Sequence, residues 1–294
     1  MKISLNIWLQ AIRPKTLPAA VAPVLIGTAM AYADGFAHYP SAFAALIGAL
    51  AIQVLTNLAN DYFDFKKGAD TKDRIGPTRV MQAGLVSDSS MKNAMLITAG
   101  VAVLASFYLI TRAGWPILLI GIVSIVSGIF YTAGPRPLGY LGLGDVFVLI
   151  FFGPVAVGGT YYVQALSVDW VIIIAGLAPG LLSAAILCVN NLRDMDTDRK
   201  VSKLTLAVRL GRSFALSEYL FCIISASFIP LVLCVLLGGF YFSLLASAIA
   251  YLSIPVIKTV LTKADGHSLN RALAQTGQLL LAYSILFSIG WIQQ

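Results

Sequence analysis

The sequence predicts an all-α fold, a polytopic membrane bundle of about nine transmembrane helices that form a single domain over residues 1–294. Hydrophobic residues make up 59% of the chain and charged residues 11%, whereas soluble domains carry about 25% charged residues. Apolar runs long enough to cross a bilayer recur along the whole chain. Lysine and arginine are confined almost entirely to alternate connections between these runs. The lipid bilayer is therefore the expected surroundings of the helices.

The first half of the chain is punctuated by helix-start and turn signals. Residues 3–12 predict a short interfacial helix, with Trp8 at the headgroup level. Pro14 and Pro18 suit the first turn of a helix, where a missing N–H costs nothing. Ser87 and nearby serines offer N-caps. The first four spans are predicted at about 18–32, 41–61, 87–111 and 115–131.

The second half follows the same pattern. Residues 134–140 are rich in glycine and proline and predict a tight turn, and Gly238 and Gly239 predict another. The three cysteines lie in apolar runs without metal-ligand spacing. The remaining spans are predicted at about 145–163, 170–191, 215–237, from 240 to near 258, and 273–292.

The basic residues predict the orientation of the bundle. Nine spans place the N-terminus and the loops after spans two, four, six and eight on one side, which receives every lysine and arginine except Arg112. Cytoplasmic loops carry such an excess of positive charge. The prediction is a plasma (inner) membrane protein with these loops in the cytoplasm and its C-terminus outside. The net charge of +7 is then explained without a nucleic-acid partner.

A first polar cluster lies at the end of the second span. Asn57, Asp61 and Asp64 are spaced to share one helix face, with Asn60 beside them. Such carboxylates and amides are suited to a hard cation such as Mg²⁺, and neighbouring basic residues to a phosphate. The alternative is a solvated loop with ordinary surface ion pairs. The loop that follows adds a further carboxylate and three basic candidates: Asp70, Lys66, Lys72 and Arg74.

A second cluster ends the sixth span and forms a weak internal repeat of the first. Asn190, Asp194 and Asp198 again share a helix face, and Asn191 lies beside them. Lys203 and Arg209 follow in a basic stretch. Two acidic clusters at one membrane surface are able to meet across a bundle, where two Mg²⁺ ions bridged by a diphosphate would relieve their repulsion. Metals and lysines arranged in this way stabilise a departing pyrophosphate while an allylic cation forms.

The two clusters resemble the aspartate-rich motifs of the UbiA-type intramembrane aromatic prenyltransferase superfamily. The first reads NLANDYFD from Asn57, followed by DRIGP from residue 73. The second reads NNLRDMDTD from Asn190, followed by KLTLAVRLG from Lys203. Residues 13–17, 131–132 and 142–145 also fit, and among its members those acting on 1,4-dihydroxy-2-naphthoate are most similar. Two positions depart from the usual pattern, because Gly68 stands where the last aspartate of the first motif is expected and Ser202 precedes Lys203 in place of glycine.

The resemblance implies an activity and its residues. A polyprenyl group passes from a polyprenyl diphosphate to dihydroxynaphthoate with loss of CO₂ and pyrophosphate, giving demethylmenaquinone. Tyr131 is expected to face the allylic cation, or else to be an interfacial tyrosine. Arg13 or Lys15 is expected to hold the acceptor carboxylate, or else to anchor the chain at the interface. The metal is expected on Asp61, Asp64, Asp194 and Asp198, with Asp70 as the next carboxylate of the first motif, and the diphosphate on Lys66, Lys72, Arg74, Lys203 and Arg209.

Two other functions fit parts of the pattern. Another acceptor, such as 4-hydroxybenzoate, homogentisate or chlorophyllide, fits the same superfamily. A cation-coupled transporter also carries membrane carboxylates. Transporter sites lie near the midplane, whereas both clusters here are predicted at one surface, so the transporter is disfavoured.

Overall fold

A computed structural model describes residues 4–69, 76 and 78–293, and this part of the chain is helical without β-strands. Two short 3₁₀ turns, Pro14–Thr16 and Leu138–Tyr140, accompany the helices. The helices are α1 (Leu5–Ile12), α2 (Pro18–Ala33), α3 (Tyr39–Lys66), α4 (Asp88–Ala113), α5 (Trp115–Phe130), α6 (Gly144–Ile150), α7 (Ala156–Ala165), α8 (Trp170–Lys200), α9 (Leu206–Leu237), α10 (Ile249–Leu252), α11 (Ile254–Thr262) and α12 (Gly266–Ile292).

The predicted all-α membrane bundle is confirmed, and its count of nine spans is approximate. Seven helical segments of the described chain are long and apolar enough to cross a membrane. The pair Leu5–Thr16 and Pro18–Ala33, bent by 52°, makes an eighth if it is one span. The remaining predicted span, α5, has 16 residues and is shorter than each of the seven segments. The chain is thus a multi-pass membrane protein.

Several predicted helix ends were wrong. The sixth span was expected to end at Asn191, but α8 continues to Lys200, and α9 begins at Leu206 rather than near residue 215. Likewise α3 continues to Lys66, and α12 begins at Gly266. Hydropathy marks where a helix leaves the bilayer, whereas its backbone hydrogen bonds continue through polar residues. As a result Asp64, Asp194 and Asp198 lie within helices.

Two predicted spans are interrupted. Between α6 and α7, residues Phe151–Val155 form a wider π-helical turn in which Gly153 has non-helical dihedral angles. A Cβ on Gly153 would lie 2.6 Å from the carbonyl oxygen of Gly176, and one on Gly180 2.3 Å from that of Leu149. Only glycine at these positions lets α8 pack this closely against the Phe151–Val155 segment. The other interruption is the 3₁₀ segment Tyr241–Ala248 before α10.

The connections gather at two opposite ends of the bundle. At one end Lys67 Nζ donates to Thr132 O at 2.7 Å, and Arg212 Nη2 donates to Lys263 O at 2.7 Å. The first contact joins the loop after span two to the loop after span four. The second joins the start of α9 to the loop after span eight. At the other end the Tyr161 hydroxyl donates to Asp34 Oδ2 at 2.7 Å. The helices therefore alternate in direction as the charge pattern predicted.

The largest buried core joins α2, α8, α9 and α12. Its largest fully buried side chains include Tyr219, Tyr283 and Phe287. By contrast, α4 and α5 expose many large apolar side chains, such as Leu104 at 72% and Leu119 at 54%. Exposed apolar faces of this extent are stable in lipid rather than in water. The core side of the bundle packs around α8, and α8 carries the second acidic cluster.

Candidate active site

Lys203 connects the two acidic clusters. Its Nζ lies 3.8 Å from Asp64 Oδ2 on α3 and 3.8 Å from Asp198 Oδ1 on α8. The lysine is placed by its own backbone, because its N–H donates to Asp198 O at 2.9 Å in the turn that ends α8. Both carboxylates are buried. The structure thus brings together the ends of the second and sixth spans, as the sequence predicted.

Asp64 has several donors around it, although it is only 2% exposed. The Tyr140 hydroxyl donates to its Oδ1 at 2.9 Å, and Arg79 Nη2 lies 3.5 Å from its Oδ2. Arg79 is also buried, so this ion pair is shielded from water. Burying a carboxylate is costly unless opposite charges and hydrogen bonds compensate for its lost hydration. The Tyr140 hydroxyl and the Arg79 guanidinium provide this compensation and fix the position of the Asp64 carboxylate.

Asp61 has a different neighbourhood. Its carboxylate accepts hydrogen bonds from the backbone N–H groups of Val80 and Met81, at 3.2 and 3.4 Å. This contact fixes the segment that presents Arg79 to Asp64. In this arrangement Asp61 positions the backbone next to Arg79. Its role as a metal ligand remains a prediction.

Asp194 forms a buried ion pair with its neighbour in sequence. Arg193 donates through Nε to Asp194 Oδ1 at 2.7 Å and through Nη2 to Asp194 Oδ2 at 2.6 Å. The same guanidinium donates to Asn190 Oδ1 at 2.8 Å and to Asn270 Oδ1 on α12 at 2.6 Å. Arg193 thus ties α8 to α12. Metal binding by Asp194 also remains a prediction, and it would have to compete with this guanidinium.

Tyr140 and Lys67 organise the loop above the site. Lys67 Nζ lies 4.9 Å from the centre of the Tyr140 ring, and Lys203 Nζ lies 5.5 Å from it. Lys67 also donates to Gly134 O at 2.9 Å. Burial lowers the pKa of Lys67, and the nearby Asp64 carboxylate partly opposes that effect. Lys67 and Lys203 therefore both lie near the Tyr140 ring, and the hydroxyl of this tyrosine donates to Asp64.

Tyr131 lies within the same electrostatic neighbourhood. Burial raises the pKa of its hydroxyl, and the charges of Asp145, Asp198 and Asp64 raise it further. The phenol therefore stays neutral. A Cβ on Gly144 would come within 2.6 Å of the Tyr131 hydroxyl oxygen, so glycine there makes room for the ring.

A mainly apolar chamber of about 320 Å³ opens at this site and continues into the bundle. Asp64 and Lys203 lie on its wall at one end, while Leu109, Ile117 and Val163 line it further away. Along α3 its wall runs from Ala45 to Asp64, which is about 28 Å at the rise of an α-helix. A long apolar chain attached to a charged group matches this shape.

The other predicted site residues divide into three sets. In the described part of the chain, five predicted site residues do not line the chamber: Asp61, Asp194, Asp198, Lys66 and Arg209. Of these, Lys66 pairs with Asp88 at 2.6 Å, and Arg209 Nε donates to Leu204 O at 3.0 Å. Asp70, Lys72 and Arg74 lie outside the described residues. The chamber wall includes Arg13, Asn57, Asn60, Tyr131, Asn190 and Asn191, together with Asp64 and Lys203.

Sequence reasoning missed four residues that shape the site. Arg79 was not among the predicted site residues, and Tyr140 was predicted only as part of a turn. Thr132 donates to Asn60 Oδ1 at 3.0 Å, and Arg193 neutralises Asp194. Arg193 gave a usable signal, since an arginine next to an aspartate inside a predicted helix end must be paired to be buried. The other three depend on tertiary contacts between distant segments.

The two departures from the motif pattern have a backbone explanation. Gly68 has φ +68° just beyond the end of α3, a conformation that favours glycine over aspartate. Ser202 has φ +56° in the turn before Lys203, where the usual glycine would be unstrained. The chain thus keeps the left-handed turn that positions Lys203 even without glycine.

The oxygen ligands at this site suit Mg²⁺ bound together with a phosphate. No group of three or more His, Cys, Asp or Glu side chains able to hold a metal occurs in the part of the chain described. Asp64 and Asp198 supply hard oxygen ligands, and their oxygens are separated by no more than twice 3.8 Å, because both lie that far from Lys203 Nζ. Mg²⁺ is commonly bound by one or two carboxylates together with substrate phosphates. The residues present fit a metal that arrives with a diphosphate.

Comparison with known proteins agrees with this geometry. The 1,4-dihydroxy-2-naphthoate octaprenyltransferase of Escherichia coli is 40% identical to this chain and aligns over 96% of it and 94% of its own length. The enzyme of the same name from Mycobacterium leprae is 36% identical, over 95% of this chain and 93% of its own length. The chicken UbiA prenyltransferase domain-containing protein 1 is 31% identical, over 96% of this chain and 84% of its own length.

A solved structure shows the same fold at low identity. A UbiA homolog from Archaeoglobus fulgidus superimposes with a TM-score of 0.66, at 14% identity over 98% of this chain and 100% of that one. The same homolog bound to DMAPP and Mg²⁺ gives a TM-score of 0.63, at 14% identity over 96% and 99%. The model of the UbiA prenyltransferase family matches residues 20–286. The chain belongs to the UbiA prenyltransferase family.

Proposed function

We propose that this protein is a Mg²⁺-dependent enzyme that transfers a polyprenyl group from a polyprenyl diphosphate to 1,4-dihydroxy-2-naphthoate. The products are demethylmenaquinol, CO₂ and pyrophosphate; the transfer involves no oxidant, so the ring leaves as the reduced form of the demethylmenaquinone that the resemblance implies. The observation that carries the proposal is Lys203, held 3.8 Å from both Asp64 and Asp198 at the mouth of an apolar chamber. The charged groups would bind the diphosphate, and the apolar chamber would hold the polyprenyl tail.

Similarity to characterised proteins supports the choice of substrates. The relatives from Escherichia coli and Mycobacterium leprae are octaprenyltransferases of dihydroxynaphthoate, and both align over more than nine-tenths of this chain. The Archaeoglobus fulgidus homolog binds Mg²⁺ together with DMAPP or GPP, which are prenyl diphosphates.

The charged mouth is suited to the first half of the reaction. Asp64 and Asp198 would hold Mg²⁺, with Asp61 and Asp194 as the further predicted ligands, and the metal supplies positive charge to the phosphate oxygens. Lys203 and Arg79 donate hydrogen bonds as the bond between the allylic carbon and its oxygen breaks and the electron pair leaves with pyrophosphate. Interactions that strengthen as this charge develops accelerate the step.

The second half takes place at the aromatic ring. The allylic carbon bonds to the ring carbon that bears the carboxylate, the bond to the carboxylate breaks, and its electron pair restores aromaticity as CO₂ leaves. Tyr131 keeps a neutral ring near the carboxylates, where its π-face stabilises the allylic cation. Arg13 lies on the chamber wall and would pair with the acceptor carboxylate.

The same proposal includes an orientation in the membrane. The end that carries Lys203 also carries the loops rich in lysine and arginine, so we assign it to the cytoplasm. Soluble pyrophosphate would then be released on that side, whereas the prenylated product stays in the bilayer. The whole chain, residues 1–294, is proposed to act as one prenyltransferase domain.

The direct test uses purified protein in detergent with Mg²⁺ and a labelled prenyl diphosphate. Dihydroxynaphthoate, 4-hydroxybenzoate and homogentisate are compared as acceptors, and labelled quinone precursor is measured by extraction and chromatography. Turnover with dihydroxynaphthoate and its loss after EDTA are expected. Preference for another acceptor would correct the substrate, and full activity in EDTA would contradict the metal requirement.

A matched pair of carboxylate variants tests the site itself. Asp64→Asn should reduce turnover by at least a hundred-fold, because it removes a buried charge beside the diphosphate position. Asp88→Asn removes a carboxylate near the same end of the bundle that is 40% exposed and pairs with the surface lysines Lys66 and Lys92. Surface pairs contribute little, so this control should stay within about two-fold of the parent. Equal losses in the two variants would contradict the assignment.

A further inference from the structure

Gln53 on α3 places an unused hydrogen-bond acceptor on the chamber wall. The side chain is 8% exposed, and its Nε2 donates to Thr16 Oγ1 at 3.3 Å. Its Oε1 is buried and receives no hydrogen bond from the described residues. Buried carbonyl oxygens in folded proteins nearly always have a donor, and an unpaired one is costly. The chamber wall therefore offers an acceptor that a bound molecule is able to satisfy.

The direction of this amide follows from its neighbours. Thr16 has one hydroxyl proton, and it donates that proton to Arg13 O at 3.0 Å. Asn57 Nδ2 donates to Ile12 O at 2.8 Å and to Thr16 Oγ1 at 3.1 Å, because a backbone carbonyl only accepts. Thr16 thus has only a lone pair left for Gln53. The amide must turn its N–H₂ group to Thr16, which leaves Oε1 on the other side.

The position of this acceptor suits an aromatic ring. Gln53 precedes Asp64 by eleven residues on α3, which is about 16 Å along the helix axis. That distance separates it from the diphosphate end while keeping it within the same chamber. Arg13, whose backbone oxygen is held by Thr16, lies on the chamber wall as well. Thr16 therefore contacts both Arg13, a cation suited to a carboxylate, and Gln53, whose neutral amide oxygen is suited to a hydroxyl.

We propose that Gln53 Oε1 accepts a hydrogen bond from a phenolic hydroxyl of the aromatic acceptor and is a specificity-determining residue. This inference rests on the proposed function and assigns its acceptor contact. An amide oxygen pairs with an O–H group but gives nothing to a carboxylate or a quinone carbonyl. It therefore selects the reduced, hydroxylated ring over its quinone form. Accepting that hydrogen bond also leaves more electron density on the ring carbon that is alkylated.

A cycle between protein and substrate tests the contact. The values of kcat/KM are measured for the parent and for Gln53→Met, which keeps the side-chain length without an amide. Each enzyme is given dihydroxynaphthoate and its two single-hydroxyl analogues, 1-hydroxy-2-naphthoate and 4-hydroxy-2-naphthoate. Intrinsic reactivity differences cancel in the ratio of ratios. Removing one of the hydroxyls should cost the parent roughly ten- to a hundred-fold more than it costs Gln53→Met. Equal costs in both enzymes for both analogues would overturn the proposal.

Two further comparisons separate a specific contact from general damage. Thr16→Val removes the group that orients the amide and should weaken the same discrimination, whereas Thr16→Ser keeps the hydroxyl and should retain it. Ser124→Ala removes a hydroxyl elsewhere on the chamber wall and should leave the ratio unchanged. Thermal melting in detergent checks that each variant folds. Loss of discrimination in Ser124→Ala as well, or its full retention in Thr16→Val, would contradict the proposed geometry.

The experiment also distinguishes this inference from the proposed function. A parent enzyme that prenylates 4-hydroxybenzoate instead would disprove the naphthoate assignment, and the same cycle with benzoate as the analogue would then test Gln53. A parent that is active on dihydroxynaphthoate with an unchanged ratio in Gln53→Met would disprove only the role of Gln53. A parent that prenylates no phenol would disprove both.

Discussion

At the scale of single residues, the site depends on charges that are buried before any substrate arrives. Asp64 and Asp198 are both buried, and Lys203 lies between them. A lysine is a compact charge that is able to shift between partners on a flexible side chain. In this arrangement Lys203 offsets the repulsion between the two carboxylates, and we expect its side chain to turn to a bound diphosphate.

Lys203→Ala should therefore lower kcat roughly ten- to a hundred-fold and change the KM for the prenyl diphosphate less. A single charge-assisted contact is worth about 1.5–3 kcal/mol, and its strength grows as pyrophosphate departs. A contact made equally in the ground state would instead raise mainly KM. Steady-state kinetics at saturating dihydroxynaphthoate decide between the two. Unchanged kcat with a raised KM would limit Lys203 to capturing the substrate.

At the scale of helices and turns, the segment from Tyr131 to Gly144 positions aromatic groups over the acidic mouth. Cβ atoms on Gly139 and Gly144 would come within 2.9 and 2.6 Å of atoms of Tyr131. The Tyr140 hydroxyl donates to Asp64 from the same segment. The loop after span four thus contributes shape and hydrogen bonds to a site whose charges come from α3 and α8.

Gly144→Ala should push the Tyr131 ring out of place and lower turnover by about ten-fold or more. Overpacking of this kind usually costs about 1–3 kcal/mol of stability, so folded protein should still be recovered. Gly100→Ala is the matched control, since a Cβ there meets nothing within 4 Å. On a helix that change should be neutral or slightly stabilising. Equal activity of the two variants, measured per folded enzyme, would contradict a positioning role for Gly144.

At the scale of the whole molecule, the two ends of the bundle differ in chemistry. One end carries Lys67, Arg79, Lys203 and Arg212, each of which contacts a neighbouring helix end or loop. At the other end Arg112 donates to Gln164 O at 3.4 Å. Charge asymmetry of this kind orients a membrane protein during insertion. The proposed diphosphate site lies at the same end, so we expect pyrophosphate to be released on the side that carries the basic loops.

We expect the C-terminus to lie outside the cytoplasm. A reporter that is active only in the cytoplasm should be inactive when fused after the last residue. The same reporter should be active when it follows Lys263, in the loop between α11 and α12. A fusion after Gly114, between α4 and α5, should behave like the C-terminal one. Cytoplasmic activity of the C-terminal fusion would contradict the predicted orientation.

The sequence alone was sufficient for the fold class, the alternation of helices and the pairing of the two acidic motifs. Apolar runs must be helical in lipid, because the bilayer offers no water to satisfy backbone groups. Asp64 and Asp198 were identifiable because carboxylates at the ends of apolar helices are expensive unless they have a function. The ends of α8 and α9 were not predictable in the same way, since helical hydrogen bonds continue past the apolar residues.

Only the tertiary structure distinguished the roles of these carboxylates. Asp61 and Asp64 are indistinguishable by motif, yet one binds the backbone of Val80 and Met81 and the other faces Tyr140, Arg79 and Lys203. Hydrophobicity and helix spacing specify which face a residue occupies but not which distant segment packs against that face. The acceptor oxygen of Gln53 depended on structure for the same reason, because its orientation follows from hydrogen bonds to residues nearly forty positions away.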